Sequence, residues 1–167
     1  PETIPDAHRG KPGYDTVMNL RVVTIAQLLK AAGYRTIAVG KWHLGEAPEF
    51  KANAQGFDES LNMHNGMYLP EDDPNVVNAK VDFDPIDKFL WARGDFSTSY
   101  NGGPTFAPGG YLADYWTEES LKVIEANRNR PFFINLAHWA PHTPLQATRE
   151  DYEAVGDIQP HRKRVYA

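Results

Sequence analysis

Gly33-Tyr34-Arg35-Thr36-Ile37-Ala38-Val39-Gly40-Lys41-Trp42-His43-Leu44-Gly45 is the stretch on which the reading of the fold turns. Its Arg35-to-Val39 portion is a short run rich in β-branched residues, which suits a pleated, packed strand. Gly33 stands where a preceding helix would end in a left-handed turn, and Gly40 and Gly45 bound a loop. Working outward, Thr24 and Gln27 have the spacing of a capping box, each side chain satisfying a free backbone N–H of the other. Ile25, Leu28, Leu29 and Ala32 form one apolar face, and Val23 and Leu28 are spaced as a hydrophobic staple. Helix, glycine turn, strand and glycine-bounded loop, in that order, are the grammar of an α/β sheet.

The same order returns downstream. Leu112, Tyr115, Trp116, Val123 and Ile124 recur at helical spacing, with Glu118, Glu119, Lys122 and Glu125 opposite. Pro131 opens the nearly continuous apolar run Phe132-Phe133-Ile134-Asn135-Leu136-Ala137, the pattern of a strand covered on both faces of a parallel sheet. His138-Trp139-Ala140-Pro141-His142-Thr143-Pro144 follows as a loop stiffened by two prolines. Residues 1–21 read as an extended arm. Residues 46–110, punctuated by Pro, Gly, Asn and Asp, read as a loop-rich insertion that covers one end of the sheet.

Composition narrows the possibilities. The 167 residues carry 17 Lys plus Arg against 22 Asp plus Glu, a formal charge of −5, which offers no electrostatic footprint for nucleic acid. No apolar stretch approaches the ~18 residues that suggest a membrane span. With no cysteine, disulfides, thiolate metal sites and a cysteine nucleophile are excluded from these residues. The chain opens on Pro1 and closes on Val165-Tyr166-Ala167 without a targeting segment, and the expectation is a piece of something longer, of unassigned compartment and oligomeric state.

Open α/β sheets bind ligands at the carboxyl ends of their strands. Lys41 and His43 leave the first predicted strand; His138 and His142 leave the second. If these strands are parallel neighbours, an ammonium and imidazoles meet on one rim, a set suited to a tetrahedral oxyanion. Lys41 would neutralise developing negative charge, and a histidine would donate to an ester oxygen or move a proton near neutral pH. His8, His64, His138 and His161 are read as structural, and Trp42 and Trp139 as packing. Glu71, Asp72 and Asp73 read as a solvated turn rather than a calcium site. No P-loop, GxGxxG, HExxH or GxSxG pattern occurs, and Ser60, Ser97, Ser99 and Ser120 lack a nucleophile context.

The 33–45 stretch resembles the second signature of the formylglycine-dependent sulfatases, G-Y-x-T-x-x-x-G-K-W-H-L-G. Thr24 to Lys30 is similar to the helix leading into it. Gly56-Phe57-Asp58, Arg130-Pro131-Phe132-Phe133 and Ala140-Pro141-His142-Thr143-Pro144-Leu145 resemble later segments of the family. The resemblance implies part of an alkaline-phosphatase-like α/β sandwich, with a mostly parallel sheet flanked by helices. It makes 1–167 part of a catalytic domain. It implies that Lys41 bridges the sulfate and a formylglycine, that His43 hydrogen-bonds the formylglycine hydrate, and that His142 holds a sulfate oxygen or assists the leaving group. A sulfate ester, small or glycan-borne, would be the substrate, with Ca2+ and formylglycine in the full-length parent.

The family's C/S-x-P-S-R nucleophile motif, its calcium-binding acids and its second lysine do not occur here, so neither site is expected in this chain, which should be inactive alone. A phosphate or phosphonate ester hydrolase of the same superfamily, and a non-catalytic α/β binding module, stand as alternatives. Substrate choice is expected from the 46–110 segment, where Tyr68, Phe89, Trp91 and Tyr100 would line a pocket or pack it.

Overall fold

The structure, a computed structural model, describes residues 18–64 and 66–167. The arm expected over 1–21 and His8 therefore lie largely or wholly outside the described residues. Among the described residues seven strands and five α-helices follow in the order α1 (Ile25–Ala31), β1 (Arg35–Gly40), β2 (Glu59–Met63), β3 (Val76–Asn78), α2 (Pro85–Arg93), β4 (Thr98–Tyr100), β5 (Thr105–Phe106), α3 (Leu112–Asn127), β6 (Phe132–Ala137), β7 (Gln146–Thr148), α4 (Arg149–Ala154) and α5 (His161–Tyr166). Five strands form one mixed sheet in the order β5-β4-β2-β1-β6, and β3 pairs with β7 in a separate ribbon. β1 is parallel to both β2 and β6, while β4 and β5 add antiparallel strands at the other end.

Local chemistry accounts for the start of this architecture. Thr24 accepts from the Gln27 amide and Gln27 reaches back to the Thr24 amide at 2.9 Å, closing the expected capping box. Gly33, at φ +88°, ends the helix as anticipated. β1 then alternates its side chains between two layers. Ile37 and Val39 join Leu61, Leu112, Trp116 and Trp139 beneath α3. Ala38 turns to the opposite face and packs with Ala26 of α1, Ala52 and Phe57. Thr36 also points to this second layer, where its hydroxyl donates to the Gly56 carbonyl at 2.7 Å.

Three expectations change. First, α1 buries Ala26 rather than the Ile25–Leu28 stripe, and Leu28 is 60% exposed among the described residues. The backbone at Gly56 approaches Ala26 and Gln27 so closely that only a small residue fits between helix and sheet. Second, β6 is half-buried rather than covered throughout, because it forms the end of the described sheet. Phe133 packs on one layer and Ile134 on the other, but Leu136 is exposed. Third, the 46–110 segment is part of the sheet itself. It contributes β2, β4 and β5, three of the five strands, each too short to show a sequence period.

Candidate anion-binding site

Parallel pairing of β1 with β6 supplies the condition on which the sequence reading depended. Gly40 lies opposite Ala137 at the carboxyl ends of both strands, and the Lys41 amide donates to the Ala137 carbonyl at 2.7 Å. The loops bearing Lys41 and His43, and Trp139 and His142, thus leave the sheet side by side. Asn62, at the same level of β2, donates its amide to the Gly40 carbonyl at 3.0 Å and ties the third parallel strand to this rim.

Lys41, His43 and His142 come together here. Partial burial, and after it the electrostatic influence of Lys41 and His43, lowers the pKa of His142 below the usual 6.5. Burial likewise lowers the pKa of Lys41. His142 Nδ1 lies 2.6 Å from the Thr143 carbonyl, which can only accept, so Nδ1 holds the proton and Nε2 is the nitrogen left for ligand or proton exchange. His43 adopts a left-handed backbone at φ 52°, one of two non-glycine residues to do so among the described residues. Such a conformation costs roughly 1–3 kcal/mol and persists only where its surroundings enforce it.

Trp139 is the residue whose place the sequence did not reveal. Its buried indole joins the core, as expected for a packing residue, and also lies under the polar groups. Lys41 Nζ sits 4.2 Å from the indole centroid, and the His142 ring stacks on Trp139 at 3.8 Å and 27°. The loop's backbone is fixed beneath them: the His142 amide donates to Trp139, and the Tyr68 hydroxyl donates to the His142 carbonyl at 3.0 Å.

The residues read as structural have structural partners. His138 turns away toward Trp116, with ring centroids 6.4 Å apart. His161 is held between Tyr152 and the Asn78 carbonyl. His64 faces Asp95 at 3.5 Å, and Trp42 donates to the Phe50 carbonyl and meets Phe57 edge-on. Of the aromatic residues in the 46–110 segment, Tyr68 and Trp91 pack in the interior whereas Phe89 and Tyr100 are exposed.

A sequence profile described as Sulfatase matches residues 6–166. The chain belongs to the sulfatase family. Its relatives include an N-acetylgalactosamine-6-sulfatase of Mus musculus, 34% identical over 131 residues, which covers 75% of this chain and 24% of that protein. A sulfatase of Schizosaccharomyces pombe is 32% identical over 144 residues, covering 84% of this chain and 25% of the relative. Among solved structures, that of Ps i-CgsB superposes with a TM-score of 0.69 at 29% identity, covering 91% of this chain and 34% of that one. The chain spans about a quarter of the length of these curated sulfatases. The α/β fold, with its parallel strands at the centre and helices on both faces, is a sulfatase fold.

The 167 residues contain neither a cysteine nor a C/S-x-P-S-R motif in which a formylglycine could be made. Among the described residues no group of three His, Asp or Glu side chains could hold a metal ion.

Proposed function

We propose that this chain supplies one wall of the sulfate pocket of a sulfuric ester hydrolase. The observation that carries the reading is the meeting of Lys41, His43 and His142 at the joined ends of β1 and β6 in a chain of the sulfatase family. In this reading Lys41 lies against the sulfate oxygens and neutralises the charge that grows as the ester S–O bond breaks. His142, with Nδ1 committed to the Thr143 carbonyl, binds a sulfate oxygen or passes a proton to the departing ester oxygen through Nε2. His43 orients the attacking group, which comes from outside these residues.

Sulfated sugars are the substrate class favoured here. The murine relative is named for a 6-sulfated N-acetylgalactosamine, and a structure 30% identical at TM-score 0.64 holds k-i-k-neocarrahexaose. The 167 residues alone lack the nucleophile and are inactive in this reading.

The test uses the full-length protein, with aryl sulfate and aryl phosphate esters assayed side by side. Lys41→Met and His142→Ala should each lower sulfate ester turnover by about 100-fold or more. Turnover unchanged by both substitutions would return the chain to a non-catalytic binding module. A preference for the phosphate ester would move it to the phosphoester hydrolases of the same superfamily.

A further inference from the structure

We propose that Trp139 is a positioning residue of this pocket, whose indole sets the Lys41 ammonium and the His142 imidazole against each other; the proposal rests on the sulfate-pocket reading. Three contacts carry it. Lys41 Nζ lies 4.2 Å from the indole centroid, within the range of a cation–π contact. The His142 ring stacks on the same side chain at 3.8 Å. The indole itself cannot swing, because its Nε1–H donates to the Gly66 carbonyl at 3.1 Å and its body is buried with Ile37, Val39, Leu61 and Tyr68.

The arrangement solves a physical problem. Two groups that both become cationic repel one another, and this repulsion adds to the larger effect of burial in lowering the pKa of His142. A flexible lysine would relieve that repulsion by moving into water, with its four-carbon stem free to rotate. An indole offers a negative quadrupole face that holds the ammonium in place without a carboxylate. A carboxylate in the same position would neutralise the pocket and repel an oxyanion. Trp139 therefore fixes the cation while leaving the net positive field intact. His138, one residue earlier, meets Trp116 with ring centroids 6.4 Å apart.

The experiment compares Trp139→Leu and Trp139→Phe in the full-length protein, with Lys41→Met alone and combined with each. Trp139→Leu should lower kcat/KM for an aryl sulfate by about 10-fold or more, through the orientation it removes. Trp139→Phe, which keeps an aromatic face, should restore most of it. In the double variant the losses should overlap rather than multiply, because Trp139 acts through Lys41. Losses that multiply, or a Phe variant as impaired as Leu with an unchanged melting temperature, would overturn the proposal.

A second readout does not need turnover. The His142 ring is titrated by NMR in the wild type and both variants, with Lys41 and His43 as the titratable groups facing it. Trp139→Leu should move its midpoint by about half a pH unit, and Phe should bring it back. An unmoved midpoint overturns the positioning role. A moved midpoint in a protein without sulfatase activity keeps the positioning role and removes the sulfate reading instead.

Discussion

The Lys41 amide and the Ala137 carbonyl are joined at 2.7 Å, and this bond extends the β1–β6 ladder one step past Gly40. It brings the loops bearing Lys41 and His142 out of the sheet at the same level. Gly40 permits the contact: at φ +101° it lies in a conformation that side chains resist, and a methyl group there would overlap the Ala137 carbonyl. Gly40→Ala should thus destabilise the protein by at least ~3 kcal/mol, combining left-handed strain with a clash against backbone that has little room to yield. Chemical denaturation of the variant measures this, and a loss below 1 kcal/mol would mean that the two loops are not held together here.

His142 gives the pocket a pH dependence with a defined sign. Its pKa is lowered first by burial and then by Lys41 and His43. An oxyanion favours the imidazolium, so binding takes up a proton. Inorganic sulfate should bind the full-length protein more tightly as pH falls towards the lowered pKa of His142, with affinity changing by up to about tenfold per pH unit above it. Lys41→Met removes a positive neighbour and should raise the His142 pKa while weakening sulfate overall. Calorimetry in buffers of different ionisation enthalpy reads the proton uptake directly.

Tyr68 and Tyr111 predict a loss of stability at alkaline pH. Their rings stack at 5.5 Å in the interior, and their hydroxyls donate to the carbonyls of His142 and Gln146. Burial raises both pKa values, that of Tyr111 to about 12, and Asp151 and Asp114 add to the effect at Tyr111. In the unfolded chain these phenols ionise near 10, so between that pH and the folded values the unfolded state holds fewer protons. The stabilisation is complete below pH 10 and is lost as pH climbs through the raised values. Their phenolate absorbance should appear together with unfolding. Appearance before unfolding would place the two hydroxyls in contact with water.

Asp87 anchors the periphery of the fold. Only 2% exposed, it accepts from the Val81 amide at 2.8 Å and the Trp91 indole N–H at 3.0 Å, and pairs with Arg162 of α5 at 3.4 Å. Asp87→Ala leaves those donors without their acceptor and should cost roughly 3 kcal/mol. Asp87→Asn keeps one acceptor oxygen and should cost less. Equal losses in the two variants would show that packing, not hydrogen bonding, holds α2 to α5.

The legible parts of this fold and site are those encoded by neighbours in sequence. Thr24, Gln27 and Gly33 mark the ends of α1 because a capping box and a left-handed glycine are local devices. That Lys41, His43 and His142 are neighbours is legible because they follow apolar runs whose strands pair in parallel. The burial of Ala26 in place of Leu28 depends on how closely Gly56 approaches from thirty residues away, which no helical period encodes. β2 and β4 escaped because five and three residues do not establish a period, and their pairing is entirely non-local. Trp139 looked like a core residue and is one; its second role comes from the register that sets Lys41 above it.

The outer margin of β6 has a consequence for anyone who makes these residues as a separate polypeptide. Phe132 to Ala137 presents a row of backbone donors and acceptors at the end of the described sheet, and the run contains neither lysine nor proline to discourage a newcomer. Two such molecules meeting edge to edge would continue each other's ladder at no cost in chain entropy beyond docking. Colloidal behaviour, rather than the strength of the core around Trp116, would then decide whether the segment stays in solution. A charged gatekeeper at exposed Leu136 would be the first residue to change.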